Sequence, residues 1–111
     1  MQIGPYLFIS EIRTIDADSL WMSPCRHQPS VAIHFTWKQD WPAVRELLPV
    51  IEKALTPFNA KPHWGKLFTV PPKVLASCYE KLEGFKKMLA LYDPEGKFHN
   101  AFINKNIYDH P

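Results

Sequence analysis

Side chains alternate along residues 6–15, with Phe8, Ser10 and Ile12 on one side of an extended chain and Leu7, Ile9, Glu11 and Arg13 on the other. The β-branched and aromatic content favours a strand there. Ser30–Trp37 repeats the pattern more clearly: Val31, Ile33, Phe35 and Trp37 face one way and read as core, while Ala32, His34 and Thr36 face the other. Residues 16–29, with Pro24 and Pro29, predict a long connection between the two strands. Asp40 then makes a good helix N-cap, followed by Pro42 in the first turn, where a missing N–H costs little. Val44, Leu47, Leu48, Ile51 and Leu55 form one stripe of an amphipathic helix. Pro49 lies inside it and is expected to kink it against the Arg45 carbonyl.

Pro57 and Pro62 bracket a loop leading into His63-Trp64-Gly65-Lys66. Pro71-Pro72 opens a short helical turn, and Cys78, Leu82, Phe85, Leu89 and Tyr92 then recur at spacings of four and three, predicting a second amphipathic helix with Gly84 on its exposed side. Asp93-Pro94-Glu95-Gly96 has the residues of a type I turn and ends that helix. Residues 97–107 read as an aromatic and amide-rich tail. The expected fold is α+β: an antiparallel sheet with Glu11, Arg13, His34 and Thr36 on one face and the two amphipathic helices packed on the other.

Composition narrows the function more than the fold. At 111 residues the chain is one domain long, and 46% apolar with 22% charged residues is an ordinary globular balance. Thirteen basic against eleven acidic residues give a formal +2, too weak a bias to imply a nucleic-acid or membrane-surface partner. No apolar run approaches the roughly 20 residues of a membrane span, and no secretory signal is recognisable. Cys25 and Cys78 stand far apart without metal or redox spacing, which fits free thiols in a reducing, cytoplasmic compartment. Eleven prolines against four glycines predict fixed rather than flexible connections. Neither a dinucleotide-binding nor a P-loop glycine pattern is present.

Several side chains are candidates for chemistry. Glu11 and Arg13, two apart on a strand, emerge on the same face, either as a plain surface ion pair or as a clamp that accepts and donates hydrogen bonds to a polar ligand. His34 and Thr36 repeat that geometry on the second strand, either as an ordinary solvated face or as its continuation. With the strands adjacent, acid, guanidinium, imidazole and hydroxyl converge as a match for a polyhydroxylated small molecule. Gly65 permits close backbone approach beside Lys66, whose charge suits developing negative charge; the plainer reading is a packed loop with an exposed lysine. His34, His63 and His99 have no metal-ligand spacing.

Ser10-Glu11-Ile12-Arg13, His34-Phe35-Thr36-Trp37, His63-Trp64-Gly65-Lys66 and the run from Asp93 to Asn100 (DPEGKFHN), in that order, resemble the C-terminal portion of alditol (xylitol) oxidases. These are relatives of the L-gulonolactone and D-arabinono-1,4-lactone oxidases within the vanillyl-alcohol-oxidase class of FAD enzymes. The resemblance spans nearly the whole chain, and implies a cap domain that closes over a flavin held by a separate N-terminal domain. Residue by residue, it implies that Glu11, His34 and Thr36 bind substrate hydroxyls. Arg13 and Lys66 would act beside the reacting carbon, and the Asp93 segment would return to pack on the flavin domain. The implied reaction oxidises a polyol or aldonolactone hydroxyl and passes electrons through FAD to O2, giving H2O2.

Residues 1–111 are accordingly expected to be a C-terminal cap fragment without its FAD-binding domain, with no FAD bound by this chain and no activity alone. A separate FAD-binding chain is a possible partner, and self-association into a homo-oligomer is expected through open strand edges. The competing expectation is a stand-alone binding or oligomerisation module that keeps the cap fold without the reaction.

Overall fold

A computed structural model describes residues 2–108. Two strands, β1 (Leu7–Ile15) and β2 (Ser30–Trp37), are followed by helices α1 (Trp41–Leu55), α2 (Pro72–Ser77), α3 (Leu82–Tyr92) and α4 (Ala101–Asn106). The fold is α+β, and β1 and β2 pair antiparallel with Glu11 opposite His34, Arg13 opposite Ala32 and Ile9 opposite Thr36. Partners in such a register share a face, so Glu11, Arg13, His34 and Thr36 do lie together. A register shift between Leu7 and Ile9 places Leu7 opposite Trp37. The extra residue moves Leu7 off the Glu11 side that strict alternation assigns it.

The opposite face is less closed than its apolar content predicts. Phe35 and Trp37 are half-buried and their rings stack at 5.2 Å, but Ile12, Val31 and Ile33 are 74%, 63% and 44% exposed. The Cα radius of gyration, 15.6 Å, exceeds the ~13 Å of a compact chain of this length.

The 16–29 connection is organised by Asp18. Its carboxylate accepts from the Leu20 N–H and the Ser23 hydroxyl, its N–H donates to the Cys25 carbonyl, and its carbonyl accepts from His27. Those bonds from Ser23 and Leu20 hold the Asp18 carboxyl below the usual aspartate range. Cys25 is buried and Cys78 half-buried, both as free thiols.

α1 starts as expected, with the Asp40 side chain accepting from the Ala43 N–H at 3.3 Å. Val44, Leu47 and Leu48 are buried, and the helix runs on through Pro49. Pro49 and Arg45 are both exposed, so the carbonyl that loses its helical donor can bond to water instead. Further along, the short turn opened by Pro71-Pro72 is α2, and the second amphipathic helix begins at Leu82 rather than at Cys78. After α2 the chain tightens through successive i→i+3 bonds, Cys78 to Leu75, Tyr79 to Ala76 and Leu82 to Tyr79, before α3 begins. Leu75, Tyr79 and Leu82, which flank this break, form one core with Ile107, around which Trp64, Phe68, Phe85, Leu89 and Ile103 pack. Tyr92, the last member of the predicted stripe, is 77% exposed.

Gly84 is not on an open side either: a Cβ there would lie 2.8 Å from Cζ3 of Trp21. The turn after α3 forms as expected, with the Gly96 N–H donating to the Asp93 carbonyl at 3.1 Å and Gly96 at φ +68°. The tail then folds as α4, capped by Asn100, whose side chain accepts from the Ile103 N–H at 2.9 Å.

Candidate functional site

The polar face of the two-stranded sheet is built by register alone. Glu11 and His34 are direct partners across the ladder, and Arg13 follows Glu11 by one full pleat. Oε2 of Glu11 accepts from Nη2 of Arg13 at 3.1 Å and lies 3.3 Å from Nδ1 of His34. Both contacts fall on one carboxylate oxygen, and Oε1 has no partner among the described residues. The hydrogen bond with His34, then the charge of Arg13, lower the Glu11 pKa below its ordinary value; slight desolvation opposes them. The carboxylate is therefore ionised at neutral pH and acceptor-only.

The side chains of Glu11, His34 and Arg13 are 39%, 37% and 70% exposed, so the cluster is open to a ligand from solvent. Thr36 is exposed two residues along β2, opposite Ile9. Ile9 and Ile15 share this face by register, 55% and 43% exposed. They flank the polar groups with aliphatic surface, which the alternation of residues 6–15 already shows.

Lys66 belongs to a different part of the molecule. Among the described residues its ammonium forms no hydrogen bond or ion pair, and none joins it to the sheet cluster. It lines a cavity of about 320 Å³ with Trp64, Phe68, Phe102, Lys105 and Asn106. Its loop is folded locally: Nδ1 of His63 accepts from the Gly65 N–H at 3.0 Å, and the Trp64 ring packs 5.4 Å from Tyr79 and 5.5 Å from Phe102. The far end of this segment is tied to α1, because Glu52 accepts from both the N–H and the hydroxyl of Thr69, at 2.6 and 2.7 Å. A glutamate on the polar side of α1 carries no sequence signal for that role; only the fold puts Thr69 beside it.

The turn at the end of α3 is likewise held by one carboxylate. Asp93 accepts from the N–H groups of Lys97 and Phe98 at 2.8 and 3.1 Å, with Nε2 of His99 at 3.6 Å. Among the described residues no group of three His, Cys, Asp or Glu side chains is placed to hold a metal ion, and no helix is long and apolar enough to cross a membrane.

A small α+β domain whose sheet presents an acid, a guanidinium, an imidazole and a hydroxyl on one open face is the class these features define. The family model for D-arabinono-1,4-lactone oxidase matches residues 7–106, and the chain belongs to that family. It is similar to an alditol oxidase of Streptomyces sp. (strain IKD472 / FERM P-14339), 39% identical over 101 residues that cover 91% of this chain and 24% of the relative. It is also similar to the L-gulonolactone oxidase of Mus musculus, 26% identical over 102 residues, 88% of this chain and 23% of the relative. The chain thus spans about a quarter of the length of these relatives.

Proposed function

We propose that this chain is the substrate-facing cap portion of an oxidase that acts on a hydroxyl group of a polyol or sugar lactone. The observation that carries the reading is the Glu11–Arg13–His34 cluster, in which one carboxylate oxygen takes both neighbours and the other is left to accept from a ligand. Vicinal hydroxyls donate and accept at once, and this cluster offers both capacities: Glu11 accepts, Arg13 donates, and Thr36 does either. His34 braces the carboxylate and adds a ring edge to the same patch. In this reading Arg13 meets the reacting oxygen and stabilises negative charge on it as its proton leaves, whereas Lys66, which the fold does not bring to the cluster, takes no part in that step. One such donor is typically worth on the order of 10²–10³ in rate.

Family resemblance implies FAD as the oxidant and O2 as the final acceptor, but these residues do not fit a flavin site of their own. The N-termini of α1 and α4 are closed by the Asp40 and Asn100 side chains, and among the described residues no glycine turn opens a helix toward a pyrophosphate. FAD is therefore assigned to polypeptide outside these residues, whether in the same chain or a separate one, and the cap's share is orientation and electrostatics. Two free thiols fit a cytoplasmic setting. The second reading, a binding or self-association module without the reaction, draws on the exposed Ile12, Val31 and Ile33.

A graft separates them. The matching stretch of the Streptomyces alditol oxidase is replaced by this chain, with flavin absorbance reporting assembly and H2O2 release from xylitol reporting activity. The expected result is an active graft in which Glu11→Gln lowers kcat/KM by about 10² without loss of flavin. A flavin-loaded graft that is inactive, or one indifferent to Glu11→Gln and Arg13→Gln, overturns the proposal.

A further inference from the structure

The contact between Glu11 and His34 fixes the imidazole as well as the carboxylate. Ionised Glu11 can only accept, so Nδ1 of His34, 3.3 Å from its Oε2, carries the proton that is donated. In the neutral ring that tautomer leaves the lone pair on Nε2. Nε2 forms no hydrogen bond among the described residues and is not a buried atom, the side chain being 37% exposed. Two other histidines differ. Nδ1 of His63 accepts from the Gly65 N–H, so its neutral ring has the proton on Nε2 and no lone pair to spare, and Nε2 of His99 is buried.

A carboxylate that holds one imidazole nitrogen while the other stays open to a ligand is the arrangement of a general base. The carboxylate sets the tautomer and the ring direction, and it steadies the imidazolium that forms when the free nitrogen takes a proton. Here the sheet register builds that pair from residues 23 positions apart. Nη2 of Arg13 donates to the same Glu11 oxygen at 3.1 Å, so guanidinium and imidazole converge on one corner of the open face. Glu11 and Arg13 are the charged groups that face His34 from β1; its same-face neighbours on β2, Ala32 and Thr36, are uncharged.

We propose that Nε2 of His34 is the general base of this site and takes the proton of the substrate hydroxyl that is oxidised. His34 has this role within the oxidase reading, on which the inference rests, and supplies the destination of the proton that the reading leaves open. The O–H bond breaks, the proton becomes the Nε2–H of an imidazolium, and the electron pair stays on the oxygen, where Arg13 stabilises it. That pair then forms the carbonyl bond as the carbon gives up a hydride to the oxidant assigned above to polypeptide outside these residues, a flavin. Glu11 is thereby a positioning residue for the base, in addition to offering Oε1 to a neighbouring hydroxyl.

His34→Asn separates base from brace, because its amide N–H stands where Nδ1 stood and nothing replaces Nε2. Imidazole nitrogen NMR of the isotope-labelled chain reads the His34 tautomer and its protonation. The Streptomyces graft, with flavin absorbance reporting assembly, gives kcat and KM for xylitol across pH. The expected tautomer is Nδ1–H, and kcat of the unsubstituted graft should fall on acidification in step with His34 protonation. His34→Asn should cut kcat by about 10²–10⁴ with little change in KM and abolish that acid limb. An Nε2–H tautomer, or a flavin-loaded His34→Asn graft with unchanged kcat and pH profile, overturns the proposal and leaves the oxidase reading standing. If His34→Asn does not load flavin, the unsubstituted graft decides, and a kcat indifferent to His34 protonation overturns the proposal. A flavin-loaded, unsubstituted graft without activity removes the oxidase reading itself, and the proposal with it.

Discussion

Replacing Gly84 with alanine pits a local preference against a tertiary contact. Gly84 is the third residue of α3; a glycine within a helix is up to about 1 kcal/mol less favourable than alanine, so helix propensity alone expects Gly84→Ala to stabilise the chain by up to that amount. The added Cβ would lie 2.8 Å from Cζ3 and 3.2 Å from Cη2 of Trp21. Carbon atoms settle at about 3.5 Å or more, so the ring must retreat by about 0.7 Å. Trp21 is 47% exposed and has room to move outward, but doing so gives up part of its packing on α3. Overpacking of this kind costs typically 1–3 kcal/mol, enough to cancel or reverse the propensity gain.

Urea unfolding followed by circular dichroism, run as a double-mutant cycle, checks this. Gly84→Ala should leave the wild-type background unchanged or destabilised by up to about 2 kcal/mol, and should stabilise the Trp21→Ala background by about 1 kcal/mol. The coupling is then at least about 1 kcal/mol. Equal stabilisation in both backgrounds would refute the contact.

Glu11 should titrate below the ordinary glutamate range by carboxyl NMR, and His34→Ala or Arg13→Ala should move it back up. Because its folded pKa is the lower one, its contribution to stability is complete above the ordinary carboxylate range and is lost as pH falls through the folded value; a Glu11 titration unaffected by both substitutions contradicts the assignment. Leu75→Ala, at a side chain only 1% exposed, should cost about 2–5 kcal/mol in urea unfolding, whereas Ile12→Ser on the open sheet face should change stability by under about 0.5 kcal/mol. The purified chain is expected to be colourless; stoichiometric flavin absorbance after purification would show a complete FAD site within it. Light scattering is expected to give a dimer or larger assembly, covering the exposed sheet residues or Phe98, which is 82% exposed; a 12.9 kDa mass even at high concentration counts against this.

Elements whose cause is local were legible from the amino-acid order. Period-two alternation with β-branched residues marked β2 at its true bounds, and Asp40 with Pro42 marked the start of α1, because caps and pleats depend on neighbours a few residues away. The Asp93–Gly96 turn belongs to the same group. A shared face for Glu11 and Arg13 also follows from strand geometry, and the candidate site was readable to that extent. What joined Glu11 to His34 was register, which pairs residues far apart in the chain and is set by the ladder as a whole.

Other features had no local cause. The bulge that carries Leu7 across to Trp37, the break between α2 and α3, and the ring of Trp21 on Gly84 all arise where distant segments compete for the same space. The helical spacing of Cys78, Leu82 and Phe85 reads straight through that break, because a stripe records which residues want burial and not where the core lies. Asp18, Glu52 and Asp93 illustrate the same limit among polar groups: a carboxylate is a capable acceptor wherever it occurs, and only the folded backbone decides which N–H groups reach it. Lys66 sits on the far side of that divide. Its loop is set by its own neighbours, His63 and Gly65, while its distance from the sheet cluster is decided by packing around Trp64, which no local pattern encodes.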